Sequence, residues 1–379
     1  MTGPLAGVRV VELASIGPGP FCVMVLADLG ADVIRIERVA AAAPRSNPPP
    51  DPLQRGRAAS IAVDLKTVEG VELLMRLIET ADVLVEGFRP GVMERLGAGP
   101  ETCLRRNERL VYGRMTGWGQ EGPRAETAGH DIDYLAIAGA LHPIGDADRP
   151  PPPPLNLVAD FGGGGMLLAV GICAALVARG ASGTGQVVDA AMVDGAALLT
   201  AMIHGWMAEG AWSTARGANL LDGGAPFYRV YDAADGLVAV GALEPKFYAE
   251  LLRGLGLEDA DLPQQYDRDG WPLLRERFAA VFRTGTRADW ENVFSGSDAC
   301  VAAVNDLAEA PDDVHLAARR TFLELGGVVQ PAPAPRFSGD IPRQPSTPRP
   351  PGADTDRVLA DLGYDADEIA ALRANATVA

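Results

Sequence analysis

The chain has 379 residues, 47% of them apolar and 22% charged, with a mean hydropathy of +0.06, so it is long enough for two domains with sizeable cores. Its formal net charge of -17 repels polyanions and excludes a general nucleic-acid binder, while leaving room for a small anion in a local basic pocket. Cys22, Cys103, Cys173 and Cys300 lie far apart with no CxxC pair, which excludes a sequence-evident zinc or redox centre and fits a reducing, cytoplasmic setting.

In chain order, residues 8–13 (VRVVEL) read as a strand, 21–29 as a helix closed by Gly30, and 33–37 as a second strand. A proline-rich loop at 43–53 precedes a short strand at 60–64. Helix 68–80 then leads to strand 82–87, and 110–115 repeats the theme. Strands alternating with helices predict an α/β fold with a Rossmann-like, doubly wound parallel sheet. Prolines at 150–154 break the chain, and Asp160 is the expected N-cap of an apolar helix running to about residue 179. The most apolar window, 166–178, is too short to span a bilayer, and no leader-like segment is seen, so no membrane role is expected. A turn at 180–185 leads to strand 186–190 and a long helix through residue 207. Further on, 227–231 and 237–241 flank Asp235-Gly236 as a hairpin. The expected organisation is a large domain at 1–200, a linker helix and loop at 201–225, and a small α+β domain at 226–325. A proline-rich return segment and a helix over 355–374, packed on the large domain, complete it at 326–379.

Several groups carry potential chemistry. Gly17-Pro18-Gly19-Pro20 opens a helix after the first strand, where anions bind, but GxGxxG is absent and two prolines remove N–H donors. Glu37 stands where a ribose-binding carboxylate would. Arg38, Arg55, Arg57, Lys66, Arg89 and Arg95 follow predicted strands and would together make one anion pocket. Gly129-His130-Asp131-Ile132-Asp133-Tyr134 sets one histidine beside two carboxylates and a tyrosine, an acid–base unit or an ordinary hydrogen-bonded histidine. In Asp160-Phe161-Gly162-Gly163-Gly164-Gly165, four glycines exceed the needs of a cap. They would let a substrate approach the backbone, with helix N–H groups stabilising an oxyanion. Glu244, by itself, reads as a surface carboxylate at a strand end.

Together these segments resemble the type III CoA-transferase family, which includes the α-methylacyl-CoA racemases. The stretches that carry the resemblance, in family order, are 4–13, 28–37, 82–91 (DVLVEGFRPG), 114–123, 129–134, 160–164 and 185–189. They cover roughly residues 4–340. The resemblance implies a CoA site on the Rossmann-like domain, with Arg38, Lys66, Arg89 and Arg95 as contacts to CoA. It also implies an interlocked homodimer whose active sites each lie between the large domain of one chain and the small domain of the other. No cofactor is expected beyond the CoA carried by the substrate, and no metal.

The family holds two chemistries. In transferases the aspartate at the place of Asp160 attacks the thioester and forms covalent intermediates. His130, the Glu244-Pro245 pair and the 216–226 stretch resemble the racemase branch, which is the reading taken here. That branch interconverts (R)- and (S)-2-methylacyl-CoA thioesters by removing the α-proton and returning it to the opposite face of an enolate. It assigns His130, oriented by Glu244, to one face and Asp160 to the other. Asp131 and Tyr134 are the expected supports of His130. Met192, Met202 and Met207 are candidates for a yielding acyl surface, or for plain helix core.

Overall fold

The computed structural model describes residues 3–42, 51–338 and 344–379; most of the proline-rich loop expected at 43–53 and part of the return segment lie outside them. The chain divides into two compact units. The first comprises residues 1–138, 154–199 and 317–379, and the second 139–153 and 200–316.

The first unit is built on six parallel strands: β1 (Arg9–Leu13), β2 (Asp32–Glu37), β3 (Ala59–Ala62), β4 (Val83–Glu86), β5 (Val111–Thr116) and β6 (Val187–Ala191). Their order in the sheet is β3-β2-β1-β4-β5-β6. This is the doubly wound order, and its direction reverses between β1 and β4, where ligands of such sheets bind. The middle strands are almost wholly buried on both faces, as the continuous Val/Ile/Leu runs require. Helix α1 (Pro18–Asp28) follows β1 and α2 (Val68–Glu79) follows β3; α3 (Val92–Arg95), α4 (Pro100–Arg106) and α5 (Asp131–Ile137) follow in turn. Leu73, Leu74, Leu77 and Ile78 of α2 are buried against the sheet, and Thr67 caps the helix by accepting from Gly70 N–H at 3.0 Å.

The apolar helix is longer than expected. A π-helical segment, Leu157–Met166, runs directly into α6 (Leu167–Ser182). The continuous 26-residue helix is long and apolar enough to cross a membrane by length and composition, with 39% of its most apolar stretch buried in the protein. The apolar window at 166–178 is thus part of a longer helix, and its own shortness excludes nothing. Helix α7 (Met192–Leu198) follows β6, and α8 (Ala201–Ala208) is a separate helix, not the continuation expected through residue 207.

Arg55 and Arg57 are corrections to the basic series. Both are buried: Arg55 pairs with Asp28 at 2.6 Å, and Arg57 pairs with Glu12 at 3.0 Å, which Arg35 also meets at 2.5 Å. Guanidinium groups buried with such partners hold the fold and are not available to a ligand.

In the second unit, β7 (Tyr228–Asp232) and β8 (Leu237–Gly241) form the expected hairpin around Asp235-Gly236, and β9 (Val301–Ala303) adds a third antiparallel strand. Helices α9 (Pro245–Gly254), α10 (Trp271–Phe282) and α11 (Arg287–Phe294) cover this sheet, and Phe278, Phe282 and Trp290 from α10 and α11 join Phe227 and Tyr231 in an aromatic core. After α12 (Val314–Arg319), a hairpin of β10 (Phe322–Leu325) and β11 (Val328–Pro331) belongs to the first unit, as do α13 (Thr355–Asp361) and α14 (Ala366–Ala374). The last two replace the single helix expected over 355–374; Gly363, at φ 89°, breaks it.

Candidate active site

Loops leaving β1, β4 and β5 at their C-terminal ends enclose a cavity of about 570 Å³ in the first unit. Its walls include Ile16 and Gly17, Phe88 and Arg89, Trp118, and His130, Tyr134 and Asp160. The topological switch point of the sheet thus brings together two of the three expected catalytic residues.

Asp160 is held from three directions. It lies in the first turn of the π-helical segment, not at the N-cap position that the sequence suggests. Its own N–H and that of Ala159 both donate to Asp131 Oδ2 at 2.8 Å. Asn156 hydrogen-bonds its carboxylate, and Gly17, at the N-terminus of α1, lies so close that a Cβ there would be 3.5 Å from Asp160 Oδ2. Burial first, then the neighbouring Asp131 charge, raise the Asp160 carboxyl above the usual carboxylate range, opposed by Asn156 and His130.

Two expectations are corrected by this arrangement. The N–H groups of Ala159 and Asp160 are engaged by Asp131, so they are not an oxyanion hole. Three of the four glycines after Asp160, Gly163, Gly164 and Gly165, serve packing rather than substrate approach, while Gly162 is exposed. A Cβ on Gly163 would meet Ala196 N at 2.8 Å; one on Gly164 would meet Met192 Cγ at 2.8 Å, and one on Gly165 would meet Pro18 O at 2.7 Å. Only without side chains do α1 and α7 close on this helix.

His130 is the exposed N-cap residue of α5, and its N–H donates to Asp133 Oδ2 at 3.0 Å. Tyr134 donates to Gly129 O at 2.5 Å and packs edge-on against Trp118, so it steadies the backbone that presents His130. Asp131 contacts the Asp160 segment instead, so it supports Asp160 and not His130 as expected. Trp118, Asn156 and Phe88 are site residues that sequence reasoning did not single out. Trp118 stood inside a motif, at 114–123, but nothing local marked its side chain as a wall.

The basic series divides. Arg89 lines the 570 Å³ cavity, and Arg38 and Lys66 line a neighbouring one of about 650 Å³ at the ends of β1, β2 and β3. Phe88 borders both cavities. Its N–H donates to Glu86 Oε2 at 2.8 Å, and Arg114 locks Glu86 at 2.9 Å. Arg95 is exposed on α3 and lines neither cavity. Glu37, the possible ribose carboxylate, is paired with Arg35 at 2.5 Å. Met192 lines the site cavity, whereas Met202 and Met207 belong to the second unit and are exposed.

Glu244 also belongs to the second unit, as the exposed N-cap residue of α9. Leu243 beside it is fixed by Gln265 Nε2 and the Tyr266 hydroxyl, which donate to its carbonyl at 2.8 and 2.5 Å. A larger cavity of about 840 Å³ in this unit is lined by both signs of charge, partly paired as Arg229 with Asp146 and Arg283 with Asp232. Among the described residues, no group of three or more His, Cys, Asp or Glu is placed to hold a metal.

The chain and its fold resemble those of known proteins. The chain is 47% identical over 378 residues to the alpha-methylacyl-CoA racemase of Mus musculus, covering 99% of this chain and 97% of that one. It is 45% identical to the Homo sapiens protein of the same name, over 96% and 95% of the two chains. A succinyl-CoA:mesaconate CoA-transferase of Haloarcula marismortui is 32% identical over 85% of this chain and 86% of its own. The crystal structure of a CAIB/BAIF family protein from Brucella suis superposes with a TM-score of 0.79 at 26% identity, over 96% of this chain and 100% of that one. The model of CoA-transferase family III matches residues 5–355, and the chain belongs to that family.

Proposed function

We propose that this protein is an α-methylacyl-CoA racemase, interconverting (R)- and (S)-2-methylacyl-CoA thioesters through an enolate. The observation that carries the reading is that His130 and Asp160, two groups able to exchange protons, face one cavity at the sheet's switch point. The racemase relatives, at 45–47% identity against 32% for the transferase above, favour the same branch. One group takes the α-proton while the other, already protonated, delivers a proton to the opposite face; the reverse reaction exchanges the roles, and between turnovers in one direction solvent returns each group to its starting state. Raising the Asp160 carboxyl toward the working pH lets it serve in both states. The enolate's charge needs a partner, and with the Ala159 and Asp160 N–H groups occupied, Arg89 on the cavity wall is placed to supply a cation. The neighbouring cavity, apolar with Arg38 and Lys66 at its rim, takes the nucleotide end of CoA, leaving the thioester to reach past Phe88. No cofactor is needed beyond that CoA.

The same reading includes a cytoplasmic homodimer of interlocked chains, in which Glu244 of a second copy orients His130. The test is to incubate each C2 epimer in deuterated water without an acceptor acid. Deuterium at C2 with loss of configuration is expected, and His130→Ala or Asp160→Ala should slow it by about 10²–10⁴-fold. Acceptor-dependent CoA exchange with an acyl adduct trapped on Asp160 would instead identify a CoA-transferase and overturn the proposal.

A further inference from the structure

Residues 376–379 close the outer edge of β3. Val378 forms an antiparallel bridge with Val63; Asp64 N–H donates to Thr377 O at 2.8 Å and Ala379 N–H to Ala62 O at 3.2 Å. Thr377 N–H in turn donates to Leu372 O of α14 at 2.9 Å, and the Thr355 hydroxyl lies 2.7 Å from Ala379 O. The segment is therefore tied to the sheet edge, to α13 and to α14. Ala376, which begins it, has φ 59°, the left-handed conformation imposed by the close of α14, where Ala376 N–H donates to Arg373 O at 3.0 Å and Thr377 N–H to Leu372 O.

That imposed conformation has a place in the fold. Ala376 lines the 650 Å³ cavity together with Arg38 and Lys66, and among the described residues it is the one lining residue drawn from beyond residue 96. The loop that carries Lys66 is pinned from the same side: Asp64 N–H bonds the tail, while Asp64 Oδ1 accepts from Lys66 N–H at 3.0 Å. Ala376 is exposed and carries only a methyl group on this cavity's wall, so a larger side chain there would take up room in the cavity that Arg38 and Lys66 also line.

We propose that residues 376–379 form a specificity-determining wall of the nucleotide site, with Ala376 setting the room left for the nucleotide and the strand pairing behind it fixing the Lys66 loop. This rests on the reading that the cavity takes the nucleotide end of CoA. Two variants test it. Ala376→Asn enlarges the side chain while suiting the left-handed backbone, and Ala376→Phe fills the cavity further; thermal unfolding checks that both are folded. Calorimetric Kd for free CoA should rise roughly tenfold or more in both. KM for an acyl-pantetheine thioester, which lacks the nucleotide, should stay at the wild-type value. Arg38→Ala and Lys66→Ala are measured alongside. If these two weaken CoA and the Ala376 variants do not, the tail's role is overturned while the nucleotide reading stands. If none of the four weakens CoA, both fall. An equal rise in the acyl-pantetheine KM would also overturn the proposal, since the effect would then lie at the reacting end.

Discussion

Asp131 and Asp160 sit one hydrogen bond apart, and the pair sets the proton chemistry of the site. Asp131 Oδ2 takes the N–H groups of Ala159 and Asp160, its Oδ1 is buried without a partner, and its charge helps raise the Asp160 carboxyl. Asp131→Asn keeps an oxygen for the two N–H donors and removes the charge. The acid limb of kcat/KM, in the direction that uses Asp160 as base, should then move to lower pH. Asp131→Ala removes the acceptor as well, leaving two buried donors unpaired at about 1–3 kcal/mol, and should lower kcat beyond the pH effect. The stability consequence has a definite sign. With its folded pKa raised, Asp160 holds its proton in the folded chain where the unfolded chain has released it. Its charge therefore opposes folding as pH rises from the ordinary value of 3.8 through the raised one, and fully above it. Asp160→Asn should raise the unfolding midpoint at neutral pH, and the gain should vanish in acid. The types and spacing of His130 and Asp160 marked both in the sequence; the role of Asp131 was hidden, because its partners lie 28 and 29 residues away.

The π-helical segment around Asp160 shows how an element's composition answers to its neighbours. Gly163 and Gly195 pack backbone to backbone, so a Cβ on Gly195 would collide with the Gly163 carbonyl. Gly195→Ala should therefore cost about 1–3 kcal/mol in chemical denaturation and loosen the helix that positions Asp160. A methyl group on Gly180, in the last turns of α6, would meet nothing within 4 Å. Gly180→Ala should stabilise by about 0.5–1 kcal/mol, through helix propensity alone. Opposite responses from these two glycines separate packing from propensity. The helix itself was legible as an apolar run, and its excess of glycine was visible. What the glycines were for was not, because α1 and α7 approach from sequence positions that no local pattern connects.

At the scale of the molecule, the buried side of the 157–182 helix is accounted for and its outer side is not. Met166, Val170 and Val177 are 44%, 59% and 78% exposed, an apolar stripe of the kind that an association surface carries. A second copy covering it, as the homodimer reading holds, makes a specific prediction about Glu244. Co-expressed His130→Ala and Glu244→Ala chains, each inactive alone, should regain roughly a quarter of wild-type activity, the share expected when mixed dimers hold one intact site. No recovery, despite mixed dimers isolated by two affinity tags, would mean that Glu244 does not serve a partner's His130.

The alternating α/β class, the six strands of the parallel sheet, the hairpin and the residue types that exchange protons were all readable along the chain, because these depend on local periodicity and on the intrinsic chemistry of side chains; β9, β10 and β11 were not. Only the tertiary structure decided which arginines face a ligand and which are locked in the core. Arg38 and Lys66 come after the ends of β2 and β3, whereas Arg55 and Arg57 stand just before β3, where Asp28 and Glu12 claim them. It also decided that Asp131 serves Asp160, and that a segment more than 300 residues downstream of β3 lines the cavity beside Lys66. Such pairings are set by which surfaces the sheet order brings into contact, and a linear pattern carries no record of that contact.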